Sequence, residues 1–348
     1  MQVARLFGPN DLKLIEMAKP VPGLGEALCK VVRAGVCGTD YAIYTGEFSF
    51  VKNGMVKFPM TLGHEWSGIV EQIGTGVTNV KLGDRVVGDT GVSCGSCYEC
   101  VMGNYGKCKS IHPVGTINAI DGAYAEYILM PARHLFHLPD NVSFDNGAMV
   151  EPAATALYSV IQADVRIGDT VLVLGSGPIG IAAAKLAKLC GASKVGIAAR
   201  KDFKLQKTLA LGVDVAINTT KISLADGIKQ SFGDWGVDKI IEASGSTELF
   251  KESLGLINLG GIISVVAFYE KMVDKFDIDR FVFGDVKIHA VGGSLGMYKP
   301  TLRLMAAGML DMTSLITGRY TLSQARQALD DMQIKGDTRI KSMLDISK

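Results

Sequence analysis

The second half of the chain carries the clearer hydrophobic rhythm. In "DTVLVLGSGPIGIAAAKLAKLCGASKVGIAAR", which starts at Asp169, an apolar run passes through a glycine turn into an Ala-rich stretch and ends in a second apolar run. That order predicts strand, turn, helix and strand, a βαβ unit. Further apolar runs, "DVAIN", "DKIIEAS" and "GGIISVVAF", alternate with helix-like stretches, as a doubly wound parallel sheet requires. Near the C-terminus, "TLSQARQALDDMQ" is amphipathic behind a Thr or Ser cap and predicts a surface helix. No window reaches about 18 unbroken apolar residues, the length of a membrane-crossing helix. The N-terminal "MQVARLFGPNDLKL" has no apolar run with a cleavage site, so the expected compartment is the cytosol.

The glycine turn adds chemistry to that pattern. Gly175, Gly177 and Gly180, with Pro178 and Ile179 between the last two, form G-x-G-x-x-G between a strand and a helix. The first glycine makes the turn, the second lets a pyrophosphate approach, and the third packs helix against strand. A dinucleotide site is expected here. A ribose bound through free hydroxyls would call for an acidic residue at the end of the second strand. The chain has Ala198, Ala199, Arg200 and Lys201 there, which favours NADP over NAD. Asp202 leaves open the plainer reading of a solvated basic helix start.

Composition sets the frame. With 348 residues and 48% hydrophobic content, the chain can bury a sizeable core and more than one domain. Thirty-six Lys and Arg against 35 Asp and Glu give +1. Such a balance argues against nucleic-acid or anionic-membrane surfaces, which need concentrated positive charge.

Four of the seven cysteines, Cys94, Cys97, Cys100 and Cys108, fall in the spacing C-x2-C-x2-C-x7-C. Cytosolic thiols stay reduced, so the cluster reads as a metal cage rather than a disulfide framework. Four thiolates close a tetrahedral zinc site and mark it as structural, although an iron–sulfur cluster is chemically open to the same ligands. A dispersed set, Cys37, His64, Glu65 and Glu151, offers one thiolate, one imidazole and two carboxylates, each near Gly or Pro. Taken singly, each also reads as an ordinary structural residue. Cys29 and Cys190 are expected in the core, and His112, His134, His137 and His289 away from metal. The loop "SFVKNGMVK" (49–57) is expected at a cleft mouth, where Glu47, Lys52, Asn53 and Lys57 could meet substrate hydroxyls or a phosphate.

Together "GHEWSG", the four-cysteine stretch, "VEP" and "GSGPIG" resemble the zinc-dependent medium-chain alcohol and polyol dehydrogenases, in that family's order and across essentially the whole chain. The resemblance implies an α/β fold with a GroES-like catalytic domain over 1–152, a Rossmann domain over 153–289 and a return to the catalytic domain over 290–348. It implies two zinc ions: a structural one in the four-cysteine lobe and a catalytic one at Cys37 and His64, with Glu65 and Glu151 sharing the remaining role. Where Cys2His alcohol dehydrogenases have a second cysteine, this chain has Glu151, which resembles the sorbitol, threonine and sugar-alcohol branch. Asp40 is then the partner that orients His64, and Thr39 the first proton relay. Ser294 and Leu295, in "VGGSLGMY", resemble the loop beside the nicotinamide. The implied reaction is hydride transfer from a secondary alcohol of a polyol, sugar alcohol, its phosphate or a cyclitol. "GHEWSG" with "VVGDTGVSCGSC" also resembles aminocyclitol dehydrogenases of the 2-deoxy-scyllo-inosamine type. A homo-oligomer, tetramer or dimer, joined at the Rossmann sheet edge is implied as well. The rivals are a zinc-free reductase on the same scaffold and a non-catalytic nucleotide-binding relative.

Overall fold

In the strand Glu26–Val36, "EALCKVVRAGV", only Glu26, Lys30 and Arg33 escape full burial. A strand so apolar needs cover along most of its length. In the computed structural model, which describes residues 1–117, 120–269, 271–294, 296–334 and 336–347, three antiparallel neighbours pair with it: Glu65–Ile73, Tyr127–Pro131 and Lys341–Asp345. The sheet runs Leu135–His137, Arg85–Gly88, Glu65–Ile73, Glu26–Val36, Lys341–Asp345, Ile316–Thr321. Its last pair is parallel. The C-terminal segment thus supplies two strands to a sheet begun by the N-terminal segment, and Met1–Glu151 and Tyr298–Lys348 form one unit. Trp66, Tyr124, Leu28, Ile128 and Met130 are fully buried there, each contributing about 1.5–3 kcal/mol of burial.

Pro152–Met297 forms the second unit. Its six strands are all parallel, in the order Val215–Asn218, Lys194–Ala199, Thr170–Leu174, Val237–Glu242, Ile257–Val265, Lys287–Ala290. This is the Rossmann order, with the first strand central and the chain reversing direction beside it. All five residues of Thr170–Leu174 are buried, as a central parallel strand demands. The mixed α/β architecture expected from the sequence is present.

Two details differ from expectation. The return to the first unit starts at Tyr298 rather than at 290; Val291 N–H donates to Val265 O (2.9 Å), which carries the last parallel pairing one residue past Ala290. Cys190 is exposed rather than in the core, since it sits one residue beyond the helix Pro178–Leu189 as its C-cap. Cys29 is fully buried, and the C-terminal amphipathic stretch forms the helix Ala325–Ile334. Among the described residues no helix is long and apolar enough to cross a membrane.

Candidate metal and cofactor sites

Cys37 directly follows the central strand of the first unit, which ends at Val36, and caps the helix Gly38–Thr45. Asp40, in that helix's first turn, accepts from Cys37 N–H at 2.9 Å, Gly63 N–H at 3.3 Å and Tyr124 OH at 3.0 Å. Its Oδ1 also faces His64 Nδ1 at 3.4 Å, without a well-formed hydrogen bond. One buried carboxylate therefore fixes both backbone entries to the site and faces the ring of His64. Glu65 opens the neighbouring strand, directly opposite Gly35. The ligand atoms of Cys37, His64 and Glu65 lie within 4.8 Å of one another.

Charge is dense in this pocket. Burial alone would lower the His64 pKa, yet Asp40 and the Cys37 thiolate outweigh it and hold the value well above the ordinary one. Asp40 goes the other way: burial pushes it up, but His64 and the donated hydrogen bonds bring it below the usual carboxylate range. Lys341, from the strand Lys341–Asp345, makes a buried ion pair with Glu65 Oε2. Burial would lower its pKa, and Glu65 and Cys37 raise it instead.

One thiolate, one imidazole and one carboxylate are zinc donors, and three protein ligands leave a fourth position open. With Nδ1 turned to Asp40, the other ring nitrogen of His64 is left for a metal, the usual carboxylate–histidine arrangement. The donors fit zinc. Glu151 lies outside the three-residue group: it is half-buried in the first turn of Val150–Gln162 and, after burial and Asp89, helps raise the Tyr298 hydroxyl. Tyr298 OH lies 3.2 Å from Thr90 Oγ1 and its ring stacks on Phe136. Thr39 is half-buried one residue before Asp40.

The four-cysteine stretch folds as a turn, the short helix Tyr98–Val101 and a 3-10 turn at Tyr105–Lys107. Sulfur separations are 3.8 Å for Cys94–Cys100, 3.5 Å for Cys97–Cys100 and 3.9 Å for Cys97–Cys108. A tetrahedron with Zn–S of about 2.3 Å has edges of about 3.8 Å, so the cage matches zinc and the sulfurs are too far apart for disulfides. Backbone N–H groups of Ser96 and Cys97 bring the Cys94 thiol down to about 5. His134 stays out of the cage: its Nε2 accepts from Ser93 N–H at 3.1 Å, while Arg133 donates to Ser93 O at 2.5 Å. Tyr98, Val101 and Met102 stand exposed on the lobe.

In the second unit Gly175 has φ +103°, and a Cβ on Gly180 would overlap Gly175 O. A Cβ on Gly177 would meet nothing within 4 Å. That open space lies at the helix N-terminus, where Pro178 occupies the first turn, and it fits a pyrophosphate. Arg200 and Lys201 are exposed past the end of Lys194–Ala199. Asp202, which follows them in sequence, is engaged by Asn218 Nδ2 at 2.6 Å and Lys221 Nζ at 2.7 Å. Ser294 is buried, and Leu295 lies outside the described residues.

Sequence reasoning missed Tyr124, Tyr298, Lys341 and Glu242. Glu242 ends its strand beside the glycine turn and accepts from Ser244 N–H (2.8 Å), Gly245 N–H (3.2 Å) and Tyr269 OH (2.6 Å). A strand-end acid before "ASG" was the available signal. The others carry none, because each meets its partner from a distant part of the sequence: Tyr124 meets Asp40 of a helix, Tyr298 meets Thr90, and Lys341 meets Glu65 of another strand. Glu47, expected at a cleft mouth, lines a cavity of about 450 Å³ with Tyr41, Tyr44, Asp330 and Gln333.

Comparison with known proteins agrees with this geometry. Residues 23–140 match the alcohol dehydrogenase GroES-like domain, and residues 178–307 match the zinc-binding dehydrogenase domain. A sorbitol dehydrogenase of Halalkalibacterium halodurans is 31% identical over 343 residues, covering 97% of this chain and 96% of that protein. A protein of Sinorhizobium meliloti 1021 described as a zinc-binding dehydrogenase, crystallised with NADP, superposes with a TM-score of 0.90 at 27% identity, covering 99% of each chain. An alcohol dehydrogenase of Escherichia coli CFT073 complexed with NADH gives 0.89 at 28%, again over 99% of each. The chain belongs to the zinc-binding dehydrogenases, as a nicotinamide-dependent oxidoreductase of small molecules. Within them it is a medium-chain dehydrogenase of the alcohol and polyol type.

Proposed function

We propose that the protein reversibly oxidises a secondary alcohol of a polyol, sugar alcohol or sugar-alcohol phosphate to a ketone, with zinc at Cys37, His64 and Glu65 and NADP as hydride acceptor. The observation that carries the reading is the convergence of those three donors around the Asp40 hub. Zinc at that site supplies Lewis acidity, lowering the pKa of a substrate hydroxyl toward neutrality. The chain does the rest. Asp40 keeps the His64 ring oriented, and Thr39, one residue away, takes and releases the substrate proton through its hydroxyl. Glu151, beside Tyr298, is placed in this reading to hold substrate or solvent rather than metal.

NADP is favoured because Arg200 and Lys201 are exposed at the strand end while Asp202 is already held by Asn218 and Lys221. A 2′-phosphate there meets cations and no free carboxylate. The four-cysteine lobe holds a second, structural zinc in this reading. A homo-oligomer, dimer or tetramer, is supported by the edge strand Lys287–Ala290, whose outer side pairs with no strand among the described residues.

A second reading, an aminocyclitol or cyclitol dehydrogenase, uses the same machinery on a ring substrate. The test is a panel of sugar alcohols, their phosphates and cyclitols, each with NAD and NADP, read by nicotinamide absorbance on zinc-analysed protein. Turnover of an acyclic polyol with NADP is expected. Turnover confined to cyclitols selects the second reading, and zinc-loaded protein that binds cofactor without any turnover overturns both.

A further inference from the structure

The Lys341–Glu65 pair is buried on both sides, with side-chain exposures of 3% and 1%. Removing two charges from water is costly, and an apolar pair of similar volume is often as stable or more so. Stability alone therefore gives little reason for a lysine here. The backbone is nevertheless arranged around it. Gly35 stands between the two partners in the sheet, opposite Glu65 on one side and Met343 on the other. A Cβ on Gly35 would overlap Glu65 Oε2 and come within 3.0 Å of Lys341 Cε. The missing side chain opens the lane through which the ammonium reaches the carboxylate.

We propose that Lys341 is a positioning residue for the metal site: by holding Glu65 Oε2 it restricts Glu65 to a single metal-directed oxygen and cancels the carboxylate's charge. The inference rests on reading Cys37, His64 and Glu65 as the zinc site. A thiolate and a free carboxylate together neutralise a divalent ion, whereas a carboxylate already paired with an ammonium leaves a net single positive charge for polarising an alcohol. A carboxylate free to use both oxygens also occupies the position substrate needs. Lys341 prevents both.

The test is cobalt-substituted protein, with the four-cysteine contribution removed by subtracting the spectrum of Cys37→Ser. The wild-type difference spectrum is expected to be that of a four-coordinate ion. Lys341→Met should lose visible intensity as the second carboxylate oxygen joins, with kcat down about 10- to 100-fold, the range for a lost outer partner of a metal ligand. Lys341→Arg should restore both. If Lys341→Met fails to fold, the double variant Lys341→Met with Glu65→Gln removes both charges and should fold with the wild-type intensity; a low-intensity spectrum there overturns the proposal. An unchanged spectrum and kcat in Lys341→Met also overturns it while leaving the zinc site intact. If Cys37→Ser leaves metal content unchanged, the underlying zinc reading is what has failed.

Discussion

The two cysteine-bearing sites are built in opposite ways. The lobe draws all four sulfurs from fifteen consecutive residues on single turns and leaves its own Tyr98, Val101 and Met102 exposed. The Cys37 site takes its groups from a helix N-terminus and from strands nearly 280 residues apart in sequence, and buries Asp40, His64, Glu65 and Lys341. In the first, on the proposed reading, a metal held by the four cysteines would hold the backbone. In the second the backbone holds the three donors, and on the proposed reading the open fourth position is left for chemistry.

The largest expected effect follows from that contrast. Cys37→Ser should leave a folded protein, because the strand and helix around it are fixed by the sheet and by Asp40, yet reduce kcat/KM by about 10³-fold or more, ~4 kcal/mol of transition-state stabilisation. Turnover and circular dichroism on the same preparation check it. Retained activity would dissolve the distinction between the sites.

Next comes Cys97→Ser. Losing one of four structural thiolates should destabilise the lobe by about 3 kcal/mol, read as a lower Tm and faster proteolysis near residues 92–110, because metal binding there is folding energy. Activity per folded molecule should change far less than in Cys37→Ser. Chelation should reproduce the same order, with activity lost before global unfolding.

How much of this was legible differs between the regions for the same reason. The lobe and the strand–turn–helix at Gly175 lie in contiguous sequence, so spacing alone exposes them. Cys37, His64 and Glu65 were visible only as isolated residue types and through a family resemblance. Lys341 was invisible: in "RIKSML" a lysine reads as an outward position of a strand, and nothing local reveals that Gly35, about 300 residues earlier, clears its path. Tyr124 was hidden likewise, its hydroxyl committed to an Asp on a distant helix. The second domain crossing lies at Tyr298 rather than 290, and the last parallel pairing runs only one residue past Ala290, to Val291, so nothing periodic in "VGGS" marked the boundary.

A smaller effect tests the cofactor end. Arg200→Ala together with Lys201→Ala should raise KM for NADP about 10-fold, ~1.4 kcal/mol, with little change for NAD. Equal changes for both cofactors would remove the 2′-phosphate reading while leaving the glycine turn untouched.

The smallest effect is a pH-dependent one, in the clamp that braces the strand of Lys341. Arg33 bridges Asp145 (2.8 Å) and Asp345 (3.0 Å), and Arg319 pairs with the same two acids, tying the strand that carries Lys341 to the helix Phe144–Ala148. Burial pushes Asp145 up, but Arg319 and Arg33 bring it below the usual carboxylate range. A depressed folded pKa means the stabilisation is present above the unfolded value of about 3.9 and is lost as pH falls through the folded value. With Arg319 partly in solvent the clamp is worth about 1 kcal/mol. Asp145→Asn should therefore lower stability by that amount at neutral pH, and the difference from wild type should vanish in acid. Because the ion pairs of the clamp join Arg33 and Arg319 to Asp145 and Asp345, on the strand of Lys341 and the helix Phe144–Ala148, the variant should leave lobe metal content unchanged. Loss of lobe zinc in Asp145→Asn would show the two sites to be mechanically coupled, against the contrast drawn between them.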